Sequence, residues 1–330
     1  MSRELFADVI AQEPAVALLS ASLVQGRVAP AYLLAGPHGV GRRLLALRFL
    51  EGVLAGPAGD PVQRRRLQAG NHPDLLWVEP TYSHQGRLVP VSQALEEGVN
   101  RRTPPQVRLE QVREITRFLA RRPVEARGCL VVLDGAEAMA EAAANALLKT
   151  LEEPGDGLLL LISAAPDQLL PTIRSRCQLV PVGRLSPSAM AQVLARSEGE
   201  DSAHDDAACS DAPELLELAA GSPGALRQHR QQWQQLPQDL MAQLRQLAAA
   251  PGAIAAAQPV ALLELARQIS EALDGEQQLW VLQWWELLLW RQGAARTVLD
   301  RLERLRRQLL SFVQPRLAWE VALLDLARLR

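Results

Sequence analysis

AYLLAGPHGVGRR, running from Ala31 to Arg43, decides how this chain folds. A short apolar run, Ala31–Leu34, passes into a glycine-rich turn, Gly36–Gly41, and then into a helical segment, Arg42–Leu54. Strand, glycine loop and helix in that order are the plan of a phosphate-binding loop, GxxxxGK followed by Ser or Thr. In that motif the glycines let backbone N–H groups wrap a phosphate, the lysine reaches the outer phosphates and the hydroxyl holds Mg²⁺. Gly36 and Gly41 keep the spacing, with Gly39 between them, but Arg42 fills the lysine slot and Arg43 the hydroxyl slot. Arginine keeps the charge as a planar fork rather than a point charge on a flexible stem. No side chain at position 43 can ligate Mg²⁺. Taken alone, the segment reads equally well as a glycine turn entering a helix or as a decayed phosphate loop.

The other half of such a site is an Asp at the end of a buried strand, followed by an acidic residue that polarises the attacking water. CLVVLDGAE supplies Asp134, but the next position is Gly135, and Glu137 two residues on is expected to point elsewhere. The nucleotide-binding shape persists with its chemistry removed at three positions.

Working outward, Leu75–Val78, Cys129–Leu133, Leu158–Ile162 and Gln178–Val182 read as further strands. Uninterrupted apolar runs such as CLVVL and LLLLI suit strands buried on both faces of a parallel sheet. Val107–Leu119 has helical apolar spacing, and the Ala- and Leu-rich Ala138–Glu153 is a helix stopped by Pro154 and Gly155. Alternating strands and helices predict an α/β sheet with helices on its faces. Ala55–Gly70, with its Arg64–Arg66 run, and Tyr82–Pro105 read as loops, the arginine run as a solvated turn.

After Val182 the strand signals stop. Ser186–Ser197 is a helix capped by Ser186 with Pro187 in its first turn, Glu198–Asp211 an acidic loop, and Ala212–Leu226 a helix with the turn AAGSPG. From Gln231 the pattern is helical throughout. Leu262, Leu265, Ile269 and Leu273 share one face, as do Leu299, Leu302, Leu305, Leu309 and Val313 with arginines opposite. These breaks predict three domains, 1–182, 183–231 and 232–330.

The 330 residues carry 48% apolar and 22% charged side chains, which excludes a disordered chain. A formal charge of −2 excludes a protein coated in positive charge that holds nucleic acid non-specifically by itself. Cys129, Cys177 and Cys209 are too few and scattered for a disulfide framework or a four-thiolate zinc site. No apolar run nears the roughly 20 residues that span a bilayer, and MSRELFADVIAQEPAVALL has no signal-peptide core. A reduced, cytoplasmic protein without membrane partners is expected. Lys149 is the only lysine, so chemistry that requires one must use it.

Four segments carry a family resemblance: Gly26–Arg42, His72–Pro80, LDGAEAMAEAAANALLKTLEEP (Leu133–Pro154) and LLPTIRSRC (Leu169–Cys177). Together they resemble the bacterial clamp-loader subunits of the DNA polymerase III holoenzyme, which are AAA+ proteins. The similarity is clear over residues 5–230 and weak beyond, and is greater to the delta-prime branch than to the gamma/tau motors. The resemblance implies a RecA-like AAA+ domain with a degenerate phosphate loop, a small helical lid and an all-helical collar. It implies a pentameric ring that uses ATP to place the sliding clamp on primed DNA, with the gamma/tau motors and the delta subunit as partners. Delta-prime-like members act as a stator, silent as ATPases. They contribute an arginine finger to a neighbouring motor's ATP site. By the same resemblance the finger is Arg176, with Ser175 and Cys177 as motif neighbours. An arginine supplied in trans to a transferring phosphoryl group is worth about 10³–10⁵ in rate in P-loop enzymes.

The lid arginine of motor members has no counterpart in GSPGAL, where the slot holds Gly224 and Arg227 lies three residues on. Nucleotide-facing chemistry is thus lost at Arg42, Arg43, Gly135 and Gly224, while the outward Arg176 stays. The family's four-cysteine zinc module is missing, since no cysteine occurs between Glu51 and Leu76. No cofactor and no metal are expected, ATP being bound by the neighbour, with weak nucleotide binding at Gly36, Gly39, Gly41, Arg42, Arg43 and Asp134 left open. Two other readings stay on the table: an active gamma/tau-like ATPase with an arginine phosphate loop, and a nucleic-acid-binding module acting alone.

Three further groups invite a bland reading. His204, Asp205, Asp206 and Cys209 lack a recognised ligand spacing. His72 serves a local turn. Trp280, Trp284, Trp285 and Trp290 read as helix core or subunit interface.

Overall fold

The apolar runs predicted as strands assemble one parallel sheet. The computed structural model describes residues 2–94, 96–99, 103–153, 155–201, 212–249, 254, 257–311 and 313–328. The metal candidate at 204–209 lies outside them. The chain divides into two compact units, Met1–Asp206 with Gly221–Gly224, and Ala207–Ala220 with Ala225–Arg330.

In the first unit the sheet is built from β1 (Ala31–Ala35), β2 (Leu75–Val78), β5 (Leu130–Asp134), β6 (Leu158–Ser163) and β7 (Gln178–Pro181), ordered β2-β5-β6-β1-β7. All four pairings are parallel, with Leu33 opposite Leu161 on one side and Leu179 on the other. Every residue of β6 is buried. Leu33, Val131, Leu133 and Leu161 pack with α5 (Leu109–Leu119) and α6 (Glu141–Glu152). Tyr32 points to the opposite face and meets Phe49 of α3 (Arg42–Ala55) edge-on at 4.9 Å. Each such side chain removed from water contributes roughly 1.5–3 kcal/mol. Around this core run α1 (Ser2–Leu5), α2 (Glu13–Val24), α7 (Pro171–Arg174) and α8 (Pro187–Asp201). Ser186 accepts from the Ala189 N–H at 3.3 Å, the expected cap, and α8 runs four residues past the expected end at Ser197.

Both predicted loops hold regular structure. Within Ala55–Gly70 lies α4 (Pro61–Gln68), N-capped by Asp60, whose Oδ1 accepts from Val62 N at 2.9 Å. Its arginine run is not a solvated turn. Arg64 Nε donates to Glu51 at 2.8 Å, and Arg66 grips Glu125. Glu51 is fully buried and also accepts from Arg48 and the Asp60 N–H. A buried carboxylate survives only when so paired, and α4 is the element that supplies the pair. Within Tyr82–Pro105, β3 (Thr81–His84) and β4 (Arg87–Pro90) form an antiparallel hairpin. Gln85 and Gly86 both adopt positive φ, the two-residue turn that matches strand twist. Val89, Ala94 and Val99 close over Tyr82 as a small separate core.

His72 serves the expected local turn, its Nδ1 accepting from the Asp74 N–H at 3.2 Å, and Asp74 reaches further. Asp74, 2% exposed, accepts the N–H groups of Val124, Glu125 and Ala126 at 2.7–2.8 Å. Burial alone would raise its pKa, but these three donors outweigh it and hold the carboxyl below its ordinary range.

The second unit is helical: α9 (Pro213–Ala219), α10 (Pro223–Gln235, from Ala225 onward), α11 (Gln238–Ala248), α12 (Pro259–Ala272), α13 (Gly275–Arg291), α14 (Arg296–Leu310) and α15 (Pro315–Arg328). Trp284, Trp285 and Trp319 are its largest fully buried side chains. Trp285 donates to Leu244 O at 2.9 Å and Trp280 to His229 Nδ1 at 2.8 Å. Leu262, Leu265, Ile269 and Leu273 are buried as their spacing required. Trp290 stands 64% exposed, outside the core, which leaves it the interface reading alone. One expectation fails here. Arg301 is buried beside Leu302 and Leu305 instead of opposite them, because Asp325 of α15 faces it.

Candidate functional site

The phosphate-loop segment sits where β1 ends, at the C-terminal edge of the sheet. Gly36 N donates to Ser163 O of β6 at 3.1 Å. Gly41, at φ +97°, turns the chain into α3, a conformation that other residues rarely adopt. Arg42 follows at 7% exposure. Its Nη2 lies 3.2 Å from His38 Nδ1, and its Nη1 has no hydrogen-bond partner. Burial pushes the Arg42 pKa down, with Asp134 and Glu137 opposing the shift. Asp134 at the end of β5 moves the other way. Burial raises its carboxyl, and the guanidinium groups of Arg42 and Arg43 moderate the rise. Arg43 itself turns toward β2 and stacks over Trp77, 4.3 Å from the ring centre. The arginines and the acids of this region thus offset each other only in part, burial prevailing at both Arg42 and Asp134.

Two steric facts could not be read from sequence. Gly135 has φ +74°, and a Cβ there would come within 2.8 Å of Pro80 Cγ, so the residue that opens the hairpin insertion occupies the space of an acidic side chain. Gly224 N donates to Gly39 O at 3.0 Å, and Ser222 Oγ to His38 O at 2.7 Å. A Cβ on Gly224 would sit 2.7 Å from Gly39 Cα. The turn that carries an arginine in motor members is therefore packed directly on the phosphate loop. Arg227 is exposed.

Glu137 corrects an expectation. It does not point away. It lines a cavity of about 660 Å³ with His38, Glu79 and Asp134, and its Oε1 accepts from the Ala164 N–H at 3.0 Å. Val91 and Pro104–Gln106, from the segment that follows the hairpin, line the same cavity.

Arg176 is built differently. Ile173 of α7, fully buried, anchors the short helix in the sheet core. Arg176 follows in the turn after it and is exposed. Its Nη1 donates to Thr172 O at 3.1 Å, and its Nη2 to Glu152 Oε1 at 2.9 Å. Ser175 Oγ closes the turn on Thr172 O. Cys177 packs half-buried against the same core, and burial pushes its thiol up to about 11. A thiol so shifted supports the turn and is a poor nucleophile at neutral pH. The structure thus packs Gly224 on Gly39 and brings Asp134 within electrostatic reach of Arg42, whereas Ser175, Arg176 and Cys177 lie in the turn after α7.

A family profile described as DNA polymerase III, delta subunit, matches residues 11–186. A second, described as cyanobacterial DNA polymerase III delta prime, C-terminal domain, matches residues 188–326. DNA polymerase III subunit delta' of Pseudomonas aeruginosa is 37% identical over 202 residues, 59% of this chain and 54% of that protein. The protein of the same description from Bacillus subtilis is 33% identical over 180 residues, 52% of this chain and 48% of the relative. The chain spans about half the length of these curated relatives. The crystal structure of a DNA polymerase III gamma subunit-related protein from Thermotoga maritima matches with a TM-score of 0.51 over 94% of this chain and 98% of that one. At 17% identity this is a likeness of fold. Among the described residues no helix is long and apolar enough to cross a membrane. From its sheet, its helical C-terminal unit and these two adjoining profile matches, the chain belongs to the delta-prime subunit family of the DNA polymerase III clamp loader.

Proposed function

We propose that this chain is the stator of a clamp loader: silent as an ATPase, and the donor of Arg176 in trans to the ATP site of a neighbouring gamma/tau motor. One observation carries the reading, the contrast between the buried Arg42, which has Asp134 and Glu137 nearby, and the exposed Arg176. Arg42 and Arg43 put positive charge near Asp134, and position 43 offers none of the hydroxyl that would ligate Mg²⁺. Reinstating an acid at 135 alone drives its side chain into Pro80. The ridge arginine has the opposite properties. Among the described residues its acidic partner is a half-exposed glutamate, Glu152, and such pairs are worth about 0–1 kcal/mol. Arg176 can therefore leave Glu152 for a neighbour's phosphate oxygens, which it would meet as a fixed, always-charged fork.

In this reading the partners are the motor subunits and the delta subunit. The sliding clamp and primed DNA are met by the assembled ring. Purified alone, the chain is expected to hydrolyse ATP no faster than background. Turnover by the isolated chain that Asp134→Asn abolishes would instead establish a motor with an unusual phosphate loop.

A further inference from the structure

Three helices of the C-terminal unit meet at one imidazole, His229 of α10, which the clamp-loader reading does not use. Trp280 Nε1 of α13 donates to His229 Nδ1 at 2.8 Å, the two rings lying 5.9 Å apart and tilted by 54°. The imidazole also bonds to the backbone of Leu218 in α9. Trp280 is buried, and its ring packs on Trp233 as well, which in turn meets the fully buried Trp284.

The chemistry of the donor fixes the protonation state. An indole nitrogen only donates, so the Nδ1 that receives it is bare and the imidazole is neutral. The one remaining ring proton is then on Nε2 and goes to the Leu218 carbonyl. Both ring nitrogens are used, and only the neutral ring can use them so. A second proton on Nδ1 would set N–H against N–H and leave a buried indole donor without an acceptor, which is costly. Burial acts in the same direction, pushing the His229 pKa below its ordinary value against the pull of the Leu218 carbonyl. On the helices packed here, Glu214 of α9 lies 3.8 Å from Arg245 of α11, Glu217 of α9 is paired with Arg291 of α13, and Glu276 of α13 has an interaction of its own one turn before Trp280. On α10 the positions one turn from His229, namely Ala225, Leu226, Gln232 and Trp233, carry no charge. The hydrogen bond from Arg291 holds the Glu217 carboxyl below its ordinary range, so that pair stays ionised throughout the window in which an imidazole titrates.

We propose that His229 is an acid-sensitive latch of the helical unit. Neutral, it ties α9, α10 and α13 together through both ring nitrogens. Protonated, it expels the Trp280 N–H and loosens the junction. The folded chain resists the second proton more than the unfolded chain, whose histidines titrate near about pH 6.5. The latch therefore stabilises fully above that pH, and its contribution is lost as the pH falls through the folded value. It lies wholly within the C-terminal unit and does not rest on the stator reading.

The test follows the Trp280 indole N–H of the full chain by NMR between about pH 8 and about pH 5. The resonance is assigned by its absence in Trp280→Phe, and the titration itself needs no other variant. It is expected to move in a single step with a midpoint below about 6.5. His229→Asn sets an amide oxygen where Nδ1 stood and removes the titrating group, so in that variant the resonance should hold its position across the same range. Thermal unfolding gives a second readout. The parent midpoint should fall further on acidification than that of His229→Asn, the other four histidines being common to both. An indole resonance unmoved down to about pH 5, a step that persists in His229→Asn, or parallel pH profiles of the two unfolding midpoints would overturn the proposal.

Discussion

Arg42 and Arg176 differ in every respect that matters for chemistry. Arg42 is buried, faces Asp134 and Glu137, and lies in the pocket over which the 221–224 turn packs. Arg176 is exposed, held by one carbonyl and one surface carboxylate, and backed by a rigid core through Ile173. Both are arginines, so side-chain type does not separate them. Surroundings do. An arginine whose partners are internal is part of a structure, and one whose partner is solvent-exposed is available.

That contrast can be broken or sharpened by substitution. The largest effect is expected from Arg176→Ala in the reconstituted complex. Steady-state ATP turnover at the site it serves should fall by roughly 10³-fold or more, with ring assembly intact by gel filtration. Arg176→Lys keeps the charge but not the fork and should recover only part of the loss. Next is Ile173→Ala, which removes the anchor beneath the ridge. A fully buried isoleucine truncated to alanine costs about 2–5 kcal/mol, measurable by urea unfolding. Turnover by the complex should fall as well, because the turn that positions Arg176 loses its support.

Smaller effects are expected from the pocket. Gly224→Ala pushes a methyl into Gly39 Cα and should cost about 1–3 kcal/mol in the same unfolding assay. Turnover by the complex should stay near the parent value. If it fell as far as for Arg176→Ala, the two regions would not be independent. The smallest effect is expected from Glu152→Gln, which removes the acidic partner that Arg176 has among the described residues. Stability should change by no more than about 1 kcal/mol, and turnover should hold or rise.

The centre of the sheet was legible because β5 and β6 are built on unbroken apolar runs, and β2 lies where LLWV placed it. Asp60-Pro61 was a legible helix start that the glycines and the arginine run around it obscured. The hairpin was hidden for another reason: its turn is Gln85-Gly86, not a familiar Asn-Gly or Asp-Gly pair, and its strands are four residues each. At the site, the residue identities at 42, 43, 135 and 224 were readable one by one. Their mutual packing was not. Neither Pro80 against Gly135 nor Gly224 against Gly39 follows from spacing along the chain, since each contact joins segments more than 50 residues apart. Arg301 was misplaced because helical periodicity identifies an apolar face but cannot foresee an Asp325 waiting on a neighbouring helix.

The central claim is that this chain contributes to ATP turnover through its ridge and not through its own pocket. Its most direct test is a single assay of the clamp-loader complex reconstituted with either of two variants of this chain, Asp134→Asn or Arg176→Ala, with ATP turnover read against the parent. The account predicts unchanged turnover with Asp134→Asn and collapse with Arg176→Ala. Collapse with Asp134→Asn and parental turnover with Arg176→Ala would contradict it.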